Sequence, residues 1–286
     1  MGEARVHVRH FTDPGCPFGF SAEPERLKLR WLFGDQLEWE TRMIVLAEDP
    51  KEYEEKNFTP AKQARSLRKL QQAHGMPIDS TERPRMAATE PACRAVVATR
   101  LHEPAKEEAL LRRLRVRTMD GELLDEPTTV DGAATDISLD FGQLRKWMDE
   151  DETKSELQED MRIARLPIEA AQALDHKLAD AEDGRRYTCP TYEFSLVGDP
   201  RGDDSVVVPD FQPFAAYDVA LANLASDLER REAPQSVTEV LEWADCPLAT
   251  AEIAAIAGID LDQARTELSR VAQEQPAGAD GYWTLP

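Results

Sequence analysis

The feature that most restricts what this chain can fold into is a cysteine at a strand-to-helix corner. Arg5 to Thr12 (R-V-H-V-R-H-F-T) alternates polar and apolar residues and includes β-branched ones, so it reads as a strand. Asp13-Pro14-Gly15 breaks it. A helix then opens near Cys16-Pro17, because proline suits the first helical position. Phe20, Leu27 and Trp31 give this helix its apolar spacing, and Gly34 stops it. Leu37 to Leu46 (L-E-W-E-T-R-M-I-V-L) alternates again as a second strand. The opening is therefore β-α-β, with a helix long enough to cross over between parallel strands.

From Thr59 to about Asp183 the pattern is helical. Thr59 to His74, Pro91 to His102, Ala105 to Arg117, Phe141 to Asp149 and Ser155 to Arg165 space their apolar residues by three and four. Gly75-Met76-Pro77 and Arg83-Pro84 punctuate them. Strands return at Tyr187 to Val197 and Ser205 to Val208, and the turn Gly198 to Asp204 makes them a hairpin. Pro213 to Arg230 is a helix with Tyr217, Leu221, Leu224 and Leu228 on one face, and Glu232-Ala233-Pro234 is a linker. The fold class expected is α/β with a large helical insertion at about 59–183, in a domain spanning 1–231.

Residues 236–286 read as a second, small α+β unit. A helix ends near Cys246, others cover Ala249 to Ala257 and Leu261 to Gln273, and Gly278 to Leu285 offers a wing-like strand. The order resembles a winged helix-turn-helix. DNA binding is not the expected use. Asp260, Asp262, Glu267 and Glu274 face only Arg265 and Arg270 on the third helix, whereas phosphate contact needs basic residues. The unit reads instead as a packing or dimerisation module, so a homodimer is one expected assembly.

The whole chain points the same way. Its 55 acidic and 34 basic residues give a formal net charge of −21, a field that repels nucleic acid and favours solubility. No stretch approaches the ~20 apolar residues of a membrane helix. Met1 to His10 has no apolar signal core, so a cytoplasmic place and no membrane partner are expected. The 4 cysteines, at 16, 93, 189 and 246, match neither a secreted disulfide framework nor zinc-ligand spacing. His7 and His10 flank the first strand without a matching acidic cluster, and no metal is expected.

The chemistry centres on T-D-P-G-C-P-F-G, residues 12 to 19. A cysteine at a helix N-terminus meets the first free backbone N–H groups, which stabilise a thiolate and lower its pKa. Asp13 suits both a turn before proline and the orientation of a proton near Cys16. Tyr187-Thr188-Cys189-Pro190-Thr191-Tyr192 places a second proline among strand residues, where it must sit at an edge, bulge or bend. Cys93, in E-P-A-C-R-A-V-V-A, reads as core, and Cys246 as structural.

Together these residues resemble the DsbA-like branch of the thioredoxin superfamily, over about 1 to 230. That branch includes cytoplasmic FrnE-type oxidoreductases, hydroxychromene-carboxylate isomerases and kappa-class glutathione transferases. The resemblance rests on the D-P-x-C-P-x-x opening at Asp13 to Gly19, the helical insert after the second strand and the x-P-T-[FY] strand at Cys189 to Tyr192. Val208-Pro209-Asp210-Phe211-Gln212-Pro213 adds to it. It implies a thioredoxin-like fold, Cys16 as nucleophile, and Pro190 in cis facing the active sulfur with Cys189 beside it. Pro17, Phe18, Gly19 and Thr188 are then the substrate-contacting positions.

The departure lies at Gly19, where FrnE-type oxidoreductases carry the second cysteine of Cys-x-x-Cys. A monothiol cannot resolve its own mixed disulfide through that position. Four readings stay open. A small thiol, glutathione or mycothiol, resolves the intermediate; or Cys189 does; or the site runs transferase or isomerase chemistry on a bound thiol; or the fold is a non-catalytic adaptor. Under the exchange readings the partner is a small thiol or a protein thiol, and no cofactor is permanently bound. Arginine outnumbers lysine and alanine is abundant, a composition compatible with a GC-rich, mycothiol-using host.

Overall fold

The computed structural model describes residues 4–181 and 184–286. The expected limits Met1 and Asp183 therefore lie outside the described residues. β1 (Val6–Thr12) leads through the Asp13–Gly15 turn to α1 (Pro17–Ser21) and α2 (Glu23–Phe33), then to β2 (Leu37–Met43). The single helix expected from Cys16 to Gly34 is thus two. Pro24 lacks the N–H that would continue the α1 ladder, so the axis breaks at Ala22 and restarts with Pro24 in its first turn. Gly34, at φ 51°, ends α2.

After β2 come α3 (Lys51–Glu55), α4 (Pro60–His74), α5 (Glu90–His102), α6 (Glu107–Met119), α7 (Pro127–Asp136), α8 (Phe141–Asp149), α9 (Asp151–Ala164) and α10 (Glu169–Gln172). The apolar pattern does not predict α3 or α7. α3 is only 5 residues long and fully polar apart from Tyr53, and α7 carries small residues instead of an apolar stripe. The helices stop at Gln172, before the hairpin of β3 (Ala179–Ala181) and β4 (Gly184–Arg186). β5 (Thr191–Leu196) and β6 (Val206–Pro209) pair antiparallel as expected, but β5 starts four residues later than the sequence suggests. Residues 187–190 are irregular, since Pro190 cannot donate to a ladder. α11 (Phe214–Leu224) is shorter than the helix expected to reach Arg230.

The main sheet has the order β2-β1-β5-β6, with β1 and β2 parallel and the other pairs antiparallel. Val6 and Val8 of β1 pair with Leu37 and Trp39 of β2, and across the other edge with Leu196 and Phe194. One face buries Val8, Phe194 and Tyr192 under Leu29, Phe33 and Tyr217 of α2 and α11. The other face buries Phe11 and Ile44 under Ala164, Ala171 and Tyr187. The insertion has its own core of α5 to α9, including Val96, Val97, Leu110, Leu114, Val130, Leu144 and Leu157. Buried Asp160 of α9 fastens that core to β2: it accepts the Met43 N–H at 3.0 Å and the guanidinium groups of Arg42 and Arg100 at 2.6 and 2.8 Å.

The tail is α12 (Val237–Trp243), β7 (Leu248–Ala249), α13 (Thr250–Ala257), α14 (Leu261–Val271), β8 (Gln273–Ala277) and β9 (Asp280–Thr284), with β9 between β7 and β8. Its apolar side closes on α2, where Leu27 and Trp31 share a core with Val240, Leu248, Ile253 and Trp283. A second shared core joins Phe20, Leu67 and Met76 to Ala251 and Tyr282. Among the described residues no helix is long and apolar enough to cross a membrane.

Candidate functional site

Cys16 is the N-cap of α1 and is only 3% exposed. Its Sγ accepts the Gly19 N–H at 3.4 Å. α1 has 5 residues, so its macrodipole is small and the individual N–H donors matter more. As a thiol, Cys16 donates to the carbonyl oxygen of Cys189 at 3.2 Å. The peptide bond from Cys189 to Pro190 is cis. The structure therefore brings Cys16, Gly19, Cys189 and Pro190 together.

The two thiols titrate against each other. A hydrogen bond from the Cys189 side chain is the main influence lowering the Cys16 pKa; burial opposes it, and the Gly19 N–H assists. Burial, then the charge and hydrogen bond of Cys16, push Cys189 well up. Of the two, Cys16 is the sulfur whose pKa falls and Cys189 the one whose pKa rises. Arg186, three residues before Cys189, is a cation whose charge reaches both sulfurs, while burial lowers its own pKa.

The remaining expected positions divide. Pro17 occupies the first turn of α1. Phe18 is 48% exposed beside the buried sulfur, an apolar surface next to the reactive position. The Thr188 hydroxyl is turned inward, 3.2 Å from the Lys177 carbonyl and 3.2 Å from the Thr191 hydroxyl. A Cβ built on Gly19 would lie 3.3 Å from Thr12 Oγ1 and 3.5 Å from Cys16 Cβ, so position 19 adjoins the nucleophile directly.

Behind the sulfur is a layer that the sequence does not suggest. Buried Asp13 accepts the Gly15 N–H at 2.6 Å, the Leu46 N–H at 2.8 Å, the Thr89 hydroxyl at 2.7 Å and the Cys93 thiol at 3.4 Å. Cys93 is core, and burial followed by the Asp13 charge pushes its pKa well up. Tyr53 of α3 faces the same layer; burial first, then the charges of Asp13 and Cys16, raise its hydroxyl pKa. Arg115 of α6, 2% exposed, hydrogen-bonds to Thr12 and pairs with Glu23. The Cys189 thiol approaches Thr12 Oγ1 at 3.9 Å. Arg112, one turn before Arg115, forms a buried bidentate pair with Glu252 of α13 at 2.7 and 2.8 Å. The available signal is weak: Arg112 and Arg115 share a helix face at a spacing of three beside Leu111 and Leu114, but Arg113 and Arg117 in the same stretch hide it.

His7 lies 3.0 Å from Glu40, and buried His10 stacks on Tyr192 with ring centroids 4.4 Å apart. Among the described residues no cluster of His, Cys, Asp and Glu is arranged to hold a metal ion.

No protein-family model matches the chain, and no curated protein matches it in sequence. Solved structures do match. One from Nitrosomonas europaea, provisionally assigned as a protein disulfide isomerase, has a TM-score of 0.56 and 17% identity, covering 77% of this chain and 96% of that one. One from Streptomyces coelicolor, provisionally assigned as a DsbA oxidoreductase, has a TM-score of 0.53 and 17% identity, covering 85% and 95%. The fold is that of the DsbA-like thioredoxin proteins. The cytosolic disulfide reductase DsbM from Pseudomonas aeruginosa shares it at a TM-score of 0.50 and 15% identity, over 75% of this chain and 98% of that one. The helical insertion stands between β2 and β5 of the main sheet.

Proposed function

We propose that this chain is a monothiol disulfide-exchange protein, acting in the cytoplasm, in which Cys16 attacks and a low-molecular-weight thiol resolves. One arrangement carries the reading: a sulfur with a lowered pKa, capped by the Gly19 N–H and 3.2 Å from the Cys189 carbonyl at a cis-proline loop. The Cys16 thiolate attacks a disulfide R–S–S–R′, forms a Cys16–S–S–R bond and expels R′S⁻, which takes up a proton from solvent. A second, external thiolate attacks the Cys16–S–S–R bond; Cys16 leaves as thiolate, and R departs in a new disulfide with the external thiol. Sulfur oxidation is conserved throughout, so no further oxidant is needed.

Cys189 is a poor candidate for the resolving step, because its raised pKa keeps it protonated and the thiolate is the attacking species. A solved DsbM structure carries glutathione, which supports a small thiol of that class here. The 3% exposure of Cys16 is the observation that favours the rival, a non-catalytic adaptor.

The deciding experiment follows alkylation of Cys16 across pH and turnover of a glutathionylated peptide with reduced glutathione or mycothiol. A reactive sulfur at neutral pH, with turnover lost in Cys16→Ser and kept in Cys93→Ser, supports exchange. An unreactive Cys16 at every pH below the ordinary thiol range overturns it.

A further inference from the structure

A groove opens past the end of α1, the helix that Cys16 caps at its other end. It measures about 780 Å³ and lies between α1–α2, the end of α4, the segment after β6, and helices α13 and α14 of the tail. Ala251, Ala254 and Ala255 form a floor of small side chains. One wall is Phe211 against His74, with ring centroids 4.2 Å apart. Asp210, at φ 61°, turns the chain to present Phe211 there, just past Pro209, which pairs with Thr191 next to the cis-proline. At one end Leu261 lies against Gly75, where an added Cβ would meet its Cδ1 at 2.8 Å.

The polar character of the groove has one sign. Glu25, Asp260 and Asp262 line it. The ion pairs nearby, Glu23 with Arg26 and Arg265 with Glu274 and Asp280, leave all three carboxylates out. Burial raises the Glu25 pKa, with Lys28 opposing, and burial lowers that of His74, so the imidazole adds no positive charge at neutral pH. Ser21, 1% exposed, contributes a hydroxyl with no hydrogen-bond partner among the described residues. An unpartnered buried hydroxyl favours a ligand able to complete it. Small floor, aromatic wall and acidic rim together suit a side chain with an apolar stem and a cationic head, as in lysine or arginine.

We propose that this groove docks a basic segment of a protein disulfide substrate, holding a lysine or arginine near the cysteine that is joined to Cys16. Ser21 is five residues along the helical segment from Cys16, roughly 7–8 Å at 1.5 Å per residue. An extended peptide covers that in two or three residues. The proposal rests on Cys16 as the attacking sulfur, and it gives the tail a role in recognition, because α13 and α14 build half of the docking surface.

The test uses the full chain and synthetic peptides with one glutathionylated cysteine and lysine, glutamine or glutamate three positions away. The lysine peptide is expected to exceed the glutamate peptide in kcat/KM by ~10-fold at low salt, converging at 1 M NaCl, where screening is short-ranged. Glu25→Gln with Asp262→Asn should erase the preference while leaving unchanged the rate at which Cys16 forms a mixed disulfide with oxidised glutathione, a step that releases one glutathione thiolate. Fluorescence anisotropy with labelled peptides bearing serine in place of cysteine reads docking without chemistry. Saturable binding of the lysine peptide that is lost in the double variant supports the groove even if Cys16 proves inert. Equal kcat/KM for the three peptides, or a lysine preference that survives neutralisation of both carboxylates, overturns it.

Discussion

The Cys16 sulfur lies 3.2 Å from the carbonyl oxygen of Cys189, and the side chain of that same residue is the main donor that lowers the Cys16 pKa. Cys189 thus acts on both protonation states. Its carbonyl accepts from the Cys16 thiol, and its side chain lowers the Cys16 pKa.

Cys189→Ala removes only the second of these. The Cys16 pKa should rise, shifting the midpoint of its alkylation–pH profile to higher pH, while Cys189→Ser, which keeps a donor, should shift it less. The sign also carries to stability. A thiol whose folded pKa is lowered adds stability that is full above the unfolded pKa and fades as pH falls through the folded one. Cys189 and Cys93, whose pKa values are raised, contribute with the opposite sign over the same range, so the alkylation profile is the measurement that isolates Cys16. Identical profiles in all three proteins would refute the donor role.

Gly19→Cys should convert the site to a dithiol. The Cβ at that position would be 3.5 Å from Cys16 Cβ, at the lower edge of the ~3.5–4.5 Å range of disulfides. The nearest obstruction is Thr12 Oγ1 at 3.3 Å, a contact that relaxes with a small shift. Mild oxidation should join peptides containing 16 and 19 in mass spectrometry, and in a single turnover the substrate thiol should leave Cys16 without an external resolving thiol, which is then needed only to reduce the 16–19 disulfide. Failure of the pair to form would refute the expectation that position 19 adjoins Cys16 closely enough for a dithiol, with Thr12 at 3.3 Å and Arg115 at 3.5 Å the groups in the way.

The legible parts of this structure are those written in local pattern. The β1–turn–Cys16 corner, β2, the helical insertion and the β5–β6 hairpin follow from period and punctuation. Boundaries shift where a proline acts against the pattern, at Pro24 and Pro190. The charged layer is hidden for a different reason. Arg112, Arg115, Glu23 and Glu252 look like surface residues in sequence, and only non-local pairing makes them core. The groove is likewise illegible, since four segments far apart in sequence build it.

The Arg112–Glu252 pair should make the tail inseparable from the stability of the whole. Both side chains are buried, and Glu252 also accepts the Ala249 N–H at 2.7 Å. Glu252→Ala strips the buried Arg112 guanidinium of its bidentate partner, leaving the Pro247 carbonyl at 2.7 Å and Glu23 at 3.9 Å, and should cost up to about 3–5 kcal/mol. Urea denaturation should show a loss of that order in one cooperative transition. Arg112→Met with Glu252→Leu should recover much of it, because removing both charges avoids the orphan. A loss confined to a separate early transition would instead mark 236–286 as an independently melting unit.

The tail should not bind duplex DNA. A helix that reads DNA needs free cations facing the phosphates, and each neutralised phosphate contributes to a salt-dependent affinity. On α14, Arg265 is tied to Glu274 at 2.5 Å and also pairs with Asp280. Its neighbours Asp262 and Glu267 are acidic, leaving Arg270 as the remaining arginine of the helix. Approach of a phosphate would have to break the Arg265 pairs while facing carboxylates on the same surface. The repulsion is least screened at low salt, which is also where non-specific binding is normally strongest. A gel shift at about 50 mM salt, with full-length protein and an unrelated duplex, should show no retardation up to roughly 100 μM, the range of ordinary non-specific affinity. Retardation that weakens as salt rises would show a basic surface that α14 does not supply.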